Sequence, residues 1–410
     1  MYNVQQEDID ILRQREKTIY VKIQLLNDKF MAIAEIEGDF IDGSLSVDST
    51  SDIRRTFDGT IYVRNKTYWT SSTGLVWIDK HVRVYVGIKH QRTQKILWYP
   101  CGIFNFMDNS FDYDATTSTL RVSCEDMVSS LNGDLGGVLI GSATQVKAGE
   151  KIRDVIVQTV TQLGGITKYR IEYEDATVPE DMEWSTGATV WDMLTELRDL
   201  YYSYEMFFDE EGTFVCQRIP MNSEEPIVLD DNILHGLVIS ESLSNSFSDI
   251  KNMVEIFGKS EKVNVHSITK LVGHQPTKAE IAADKANNGC NDFGYIVNPD
   301  SPYTIDKIGE RILSCSGGDF DDIRTVNLAL QRGEYEIFKG ARLPDSVSIE
   351  CIMIPWLGVN NKIGYKLQMK GGHSVEQYMV SGYNFDFTSG TMSISMYRFY
   401  PFYPFSTQKL

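Results

Sequence analysis

The chain has 410 residues, 42% apolar and 23% charged, which excludes a disordered polymer and leaves room for roughly two to four domains at about 150 residues each. Thirty-nine Lys and Arg stand against 57 Asp and Glu, a formal net charge of −18, which argues against a general binder of phosphate backbones but not against a conduit for DNA, whose wall would repel it. The longest unbroken apolar run, Phe30–Ala34, is far short of the roughly twenty residues a membrane helix needs, and the polar, acidic Met1–Asp8 is no secretion signal, so a soluble protein folded in a cytoplasm is expected.

Asp8 to Lys17 is polar and charged and reads as an N-terminal arm or helix able to reach a neighbour. Ile19–Leu26 largely alternates at period two and reads as a strand; Asn27-Asp28-Lys29 is a turn, and apolar residues resume from Phe30 to Ile36. Gly59–Arg64, His81–Lys89, Lys95–Phe106 and Leu120–Cys124 follow as strands, and the second puts Val82, Val84, Val86 and Ile88 on one face. Half a dozen short strands in about 110 residues indicate a small barrel or sandwich.

Four glycines between Gly133 and Gly141 mark a linker. Ile152, Val155, Ile156, Val160 and Leu163 then fall at helical spacing, stopped by Gly164-Gly165. A second helix runs from an N-cap at Thr189 through Val190, Met193, Leu194 and Leu197 to Tyr201, with Asp192 favoured by the dipole in its first turn. Tyr204–Phe208 and Thr213–Arg218 flank Asp209–Gly212 as a hairpin, which completes a compact α+β module.

Strands return at Leu234–Ser240 and Asn252–Gly258. Residues 273–302 are polar and read as a partly irregular insertion; helical spacing reappears at Ile305, Ile308 and Ile312, and again from Asp321 to Lys339 through Ile323, Val326, Leu330 and Ile337. Ser346–Ile354, Gly364–Met369, Gln377–Asp386 and Gly390–Tyr400 are β. The fold class is α+β, mainly β: two β units separated by α+β and helical inserts.

Enzymatic readings find little support. There is no GxSxG, HExxH, P-loop or dinucleotide fingerprint. The six histidines stand alone without a second ligand at metal spacing, and the six cysteines form no CxxC and read as reduced, buried thiols. No catalytic, cofactor-binding or metal-binding residue is assigned. Asp209, Glu210 and Glu211 read as a solvated hairpin tip. Trp69, Trp77, Trp98 and Tyr99 read better as barrel core than as a sugar platform. The C-terminal aromatics Phe399, Tyr400, Phe402, Tyr403 and Phe405 are costly to leave in water, and they pack either on this subunit or on another subunit or partner.

Several stretches together resemble the baseplate hub or tail-tip proteins of long-tailed phages and related contractile injection systems. Ser51-Asp-Ile-Arg-Arg-Thr56, Trp77–Gly87 and Trp98-Tyr-Pro-Cys-Gly-Ile-Phe104 look like the family's first barrel. Ala148–Ile156 and Thr189–Leu197 look like its α+β module, Ser246–Gly258 like the opening of its second barrel, and Ile354–Ile363 with Gly390–Arg398 like its closing strands. The resemblance implies two small barrels of tail-tube type: residues 1–135 as N-terminal arm and first barrel, 136–228 as the α+β module, 229–265 with 341–410 as the second barrel, and 266–340 as an insertion with helices. It implies a homotrimer whose barrels make a pseudo-sixfold ring joining the tail tube to the tip. Its partners would be a tail-tube or distal tail protein and a tip or spike protein, with DNA only in transit through the lumen, no cofactor and no stable membrane insertion. The place would be the virion tail tip or baseplate, assembled in the host cytoplasm. As the chain stops about ten residues after its last strand, wall-degrading activity is expected on another protein. A carbohydrate-binding or wall-degrading tail protein, and an intracellular scaffold, stand as the other readings.

Overall fold

The computed structural model describes residues 3–37, 40–63, 68–113, 116–141, 143–201, 204–220, 226–259, 265–317, 320, 323–341, 345–369, 374–398 and 408–409. The chain is mainly β, with 43% strand and 19% helix. It opens with α1 (Gln6–Leu12) and β1 (Ile19–Leu26), β2 (Ala32–Glu37), β3 (Phe40–Asp48), β4 (Arg55–Tyr62), β5 (His81–Lys89), β6 (Ile96–Tyr113) and β7 (Ser118–Asp126). The expected arm is a helix packed on its own subunit: Ile11 and Leu12 are buried, and the Asp8 carboxylate accepts from the Tyr99 hydroxyl at 2.6 Å. The β1–β2 turn forms where Asn27 was read as a turn signal, because its side-chain oxygen accepts from the Lys29 and Met31 amides. β3 escaped the sequence reading because only its second half alternates; its Gly43 is needed where a Cβ would come within 2.4 Å of the Asp58 carbonyl on β4.

The α+β module comprises β8 (Thr144–Val146), α2 (Ile152–Gln158), β9 (Tyr169–Ile171), β10 (Met182–Trp184), α3 (Val190–Asp199), β11 (Tyr204–Phe208) and β12 (Phe214–Arg218). Thr189 caps α3 as expected, accepting from the Asp192 amide while the Asp192 carboxylate accepts from the Thr189 amide. α2 runs on into a π turn at Thr159–Leu163, and that change of pitch leaves Leu163 exposed rather than on the buried stripe of Ile152, Val155, Ile156 and Val160.

Then come β13 (Ile227–Leu229), α4 (Asp231–Leu234), β14 (Val238–Asn245), β15 (Met253–Gly258), β16 (Val265–Val272), α5 (Lys278–Asn288), β17 (Phe293–Val297), α6 (Ile305–Ile308), β18 (Ile312–Ser316), α7 (Val326–Gly340), β19 (Asp345–Ile352), β20 (Lys362–Tyr365), β21 (Glu376–Asp386), β22 (Thr391–Arg398) and β23 (Gln408–Lys409). The stretch read as irregular holds α5, with Thr277 and Glu280 as a reciprocal cap, and the strand β17. Ile312 belongs to a strand rather than a helix.

The two β-rich ends of the chain form one sheet. Its order is β14-β19-β22-β21-β3-β4-β7-β6-β5-β1-β2, with β20 paired beside β21 and β13 beside β20, and among the described residues it does not close into a barrel. β3 and β21, at opposite ends of the sequence, pair antiparallel over five residues from Gly382↔Asp48 to Asp386↔Ser44. Their core side carries Leu45, Val47, Tyr383 and Phe385. A second, mixed sheet runs β18-β15-β16-β17-β23 with α7 packed against β15 and β16, so Met253–Gly258 pairs with Val265–Val272 and Ile312–Ser316.

Candidate functional site

Period-two alternation gives the continuous sheet one apolar face and one open face, and the register fixes what lies side by side on the open one. One cross-strand row reads Ser240, Glu350, Ser393, Asn384, Ser46, Thr56 and Glu125 through β14, β19, β22, β21, β3, β4 and β7. The next reads Thr391, Asp386, Ser44, Asp58, Ser123 and Asp108, ending on β6. A third reads Ser242, Ser348, Ser395, Gly382 and Asp48. Six carboxylates and no cation stand in these rows. The side chains are short apart from Glu350 and Glu125, and the face is hollowed by a depression of about 420 Å³ lined by Ser240, Glu350, Asn384, Asp386 and Ser393. Burial, together with the Asp134 and Asp108 carboxylates, pushes the Glu125 carboxyl above its ordinary range. This face repels a polyanion while offering hydroxyls that hold water.

Beneath the seam lies a buried charge junction built from Arg54 and Arg55, the pair inside the Ser51–Thr56 motif. Arg54 Nη2 reaches Glu205 Oε2 on β11 at 2.6 Å, and the guanidinium stacks on Phe207 at 3.8 Å. The other oxygen of Glu205 accepts from Asn360 at 2.6 Å and Gln217 at 2.9 Å. Arg55 donates to the Phe208 and Cys101 carbonyls and the Tyr383 hydroxyl, and pairs with Glu210 at 2.5 Å. Asp126 accepts from the amides of Arg55 and Val128, each at 3.0 Å, yet burial raises its carboxyl to about 6. Against the cost of burial, Arg55 holds the Glu210 carboxyl below its usual range. One cluster therefore ties β4, β6 and β7 to the α+β module and to β21. The hairpin tip is not simply solvated: Asp209 accepts from the Glu211 and Thr213 amides to shape the turn, while Glu210 is turned inward on Arg55.

The aromatic expectations divide. Tyr99 is buried, but Trp69 and Trp77 are exposed, at 53% and 36%, rather than in the core, and Trp98 is half-buried with the Lys22 ammonium 4.4 Å above its ring. Trp69 lies beside Phe111, ring centroids 5.6 Å apart. Phe399, Tyr400, Phe402, Tyr403 and Phe405 lie outside the described residues. All six cysteines are buried without disulfides, and burial lifts the Cys101 thiol to about 12. Among the described residues no group of three or more His, Cys, Asp or Glu is placed to hold a metal, and no helix is long and apolar enough to cross a membrane. Sequence reasoning missed the hydroxyl–carboxylate rows, whose only signal was that Ser, Asn and Asp fill the polar phase of most end strands, and the role of Arg54-Arg55.

Residues 300–403 match a family model described as a domain of unknown function, DUF5048. A comparison with curated proteins gives no match. The fold is similar to that of the tail protein from Neisseria meningitidis MC58, at 10% identity and a TM-score of 0.57, over 93% of this chain and 96% of that one. It is equally similar to the 43 kDa tail protein of prophage MuSo2 from Shewanella oneidensis, at 14% identity and a TM-score of 0.57, over 93% and 98%. A chain of the Francisella PdpA-VgrG complex matches with a TM-score of 0.54 at 8% identity, over 96% of this chain and 60% of its own. The resemblance to tail-tip and hub proteins read from the sequence is thus met at the level of the fold.

Proposed function

We propose that this chain is the structural hub of a phage or phage-like tail tip or baseplate. Three copies form a pseudo-sixfold ring that joins the tail tube to the tip and surrounds the DNA channel. Each copy supplies two tube-type β units, residues 1–135 and residues 229–265 with 341–410, carried by the module 136–228 and the insertion 266–340. The observation that carries this reading is the likeness to two tail proteins over nearly the whole of both chains. Three rows of the continuous sheet's open face support it, since hydroxyls and six carboxylates with no cation among them are what DNA in transit slides past without sticking. Partners are a tail-tube or distal tail protein on one side and a tip or spike protein on the other. Phe399, Tyr400, Phe402, Tyr403 and Phe405 are proposed as a subunit or partner contact. The chain does no chemistry of its own in this role and sits in the virion tail, assembled in the host cytoplasm.

Light scattering after size exclusion across a concentration series tests the ring: three copies of 46.6 kDa weigh about 140 kDa. A monomer at every concentration, alone and with the tail-tube protein, overturns it. Exposed Trp69 beside Phe111 favours a second reading, a carbohydrate-binding or wall-degrading tail protein. Cell-wall glycan binding that Trp69→Ala abolishes without unfolding the chain decides for that alternative.

A further inference from the structure

Two surfaces of the chain are chemically complementary. The segment after α1 lines a cleft of about 710 Å³ together with α4 and the β21–β22 turn. Arg13, Arg15 and Lys17 are on its wall and no carboxylate is, in a chain where acids outnumber bases 57 to 39. Arg13 and Arg15 are exposed and form no salt bridge among the described residues, while Lys17 donates to the Gln14 carbonyl at 2.8 Å. Partial burial lowers the Lys17 ammonium, so an arriving anion would strengthen its charged form. Ile19, Ile233 and Phe387 supply apolar wall, and Thr388, Ser389 and Gly390 a polar lip.

The long β6–β7 ribbon has the opposite character. β5 leaves β6 at Asn105, and from Asp108 to Tyr113 all six residues of β6 are exposed. Alternation places Asp108, Ser110 and Asp112 on one face and Asn109, Phe111 and Tyr113 on the other, with Tyr113 76% exposed. Asp112 meets Arg121 at 3.8 Å, but both side chains are mostly in water, so that pair holds it weakly. An exposed edge strand bearing two aromatics and two carboxylates is poorly stable as free surface.

We propose that the acidic, aromatic ribbon tip of one copy docks in the basic cleft of the next copy, head to tail. This rests on the ring reading and names its contact: a heterologous interface between unlike patches, which generates a closed ring where the rotation permits. Joining copies of a −18 chain is favoured where cations of one meet acids of the next, and Arg13, Arg15 and Lys17 put three cations on the cleft wall.

Charge exchange tests it. Arg13→Glu/Arg15→Glu and Asp108→Arg/Asp112→Arg each should weaken self-association about 100-fold, and the chain carrying all four substitutions, whose every joint is again acid on base, should recover it. A disulfide between copies on introducing Arg15→Cys and Asp112→Cys gives a direct readout, because all six native cysteines are buried. Wild-type ring formation that neither variant weakens, with no crosslink, overturns the proposal and leaves the hub reading standing. A wild-type chain that remains monomeric with and without the tube protein overturns both. Retention of duplex DNA that Arg13→Glu/Arg15→Glu abolishes assigns the cleft to phosphates and also overturns it.

Discussion

Arg54 and Glu205 are buried and pair with each other, Glu205 accepting also from the Asn360 and Gln217 side chains. Removing one partner strands a charge, so Arg54→Met is expected to destabilise the fold by about 3–5 kcal/mol, and Arg54→Met/Glu205→Gln by clearly less. Urea denaturation of the two variants checks this. Asp126 behaves differently, because its folded pKa, about 6, lies above the ordinary carboxylate value of 3.8. A raised acid contributes stability that is full below 3.8 and lost as pH rises through about 6, a difference of about 3 kcal/mol at the usual conversion. Between pH 4.5 and 7 the unfolding midpoint of the wild type should fall relative to that of Asp126→Asn; parallel profiles would show that Asp126 does not titrate there. Asp126→Asn should itself cost about 1–3 kcal/mol, since an amide presents one acceptor to two amide donors. Gly212 is a third constraint: φ is +68° and a Cβ would lie 2.7 Å from Ile103, so Gly212→Ala should loosen the turn that aims Glu210 at Arg55, read as a lower Tm.

Helix α5 buries no residue; Thr277 with Glu280 caps its start, Gly289 at φ +61° ends it, and Asp284 in its middle accepts from Lys270 and Tyr295. Thr277→Ala should cost about 1 kcal/mol locally, seen as faster amide exchange across Lys278–Asn288, with the global urea midpoint unchanged. Elements of this kind show what could be read in advance. The Thr189–Asp192 cap, the Asn27 turn and the valine alternation of His81–Lys89 are local signals, and each element formed where its residues placed it. β3 and β17 were hidden because their identity comes from neighbours: Phe40–Asp48 alternates in only half its length, and Phe293–Val297 is a buried parallel strand with no polar phase. The hydroxyl–carboxylate face was invisible for the same reason, since each strand contributes two or three unremarkable polar residues and only the register assembles them.

At the scale of the whole molecule, the open face gathers acids from strands that begin the chain and strands that end it, so a charge test must cross the seam. Asp58→Lys/Glu350→Lys reverses two exposed carboxylates in adjacent rows, one from each end of the chain, and leaves Asp386, which shapes the β21–β22 turn, in place. The expected result is retention of DNA at low salt that the wild type does not show, lost again as ionic strength rises, with thermal stability changed by less than about 1 kcal/mol. An electrophoretic mobility series in salt measures it. A variant that binds no better than the wild type would mean that this face does not meet DNA.

The pairing of β3 with β21 also sets a timetable for synthesis. Asp386 leaves the ribosome 338 residues after Asp48, a wait of roughly 17–70 s at about 5–20 residues per second. Throughout that interval β3 is a bare edge, with Leu45 and Val47 waiting for the Tyr383 and Phe385 that will share their core. The nascent chain is thus most adhesive before β21 emerges, and β21, with β22 beside it, is the strand that covers the exposed edge.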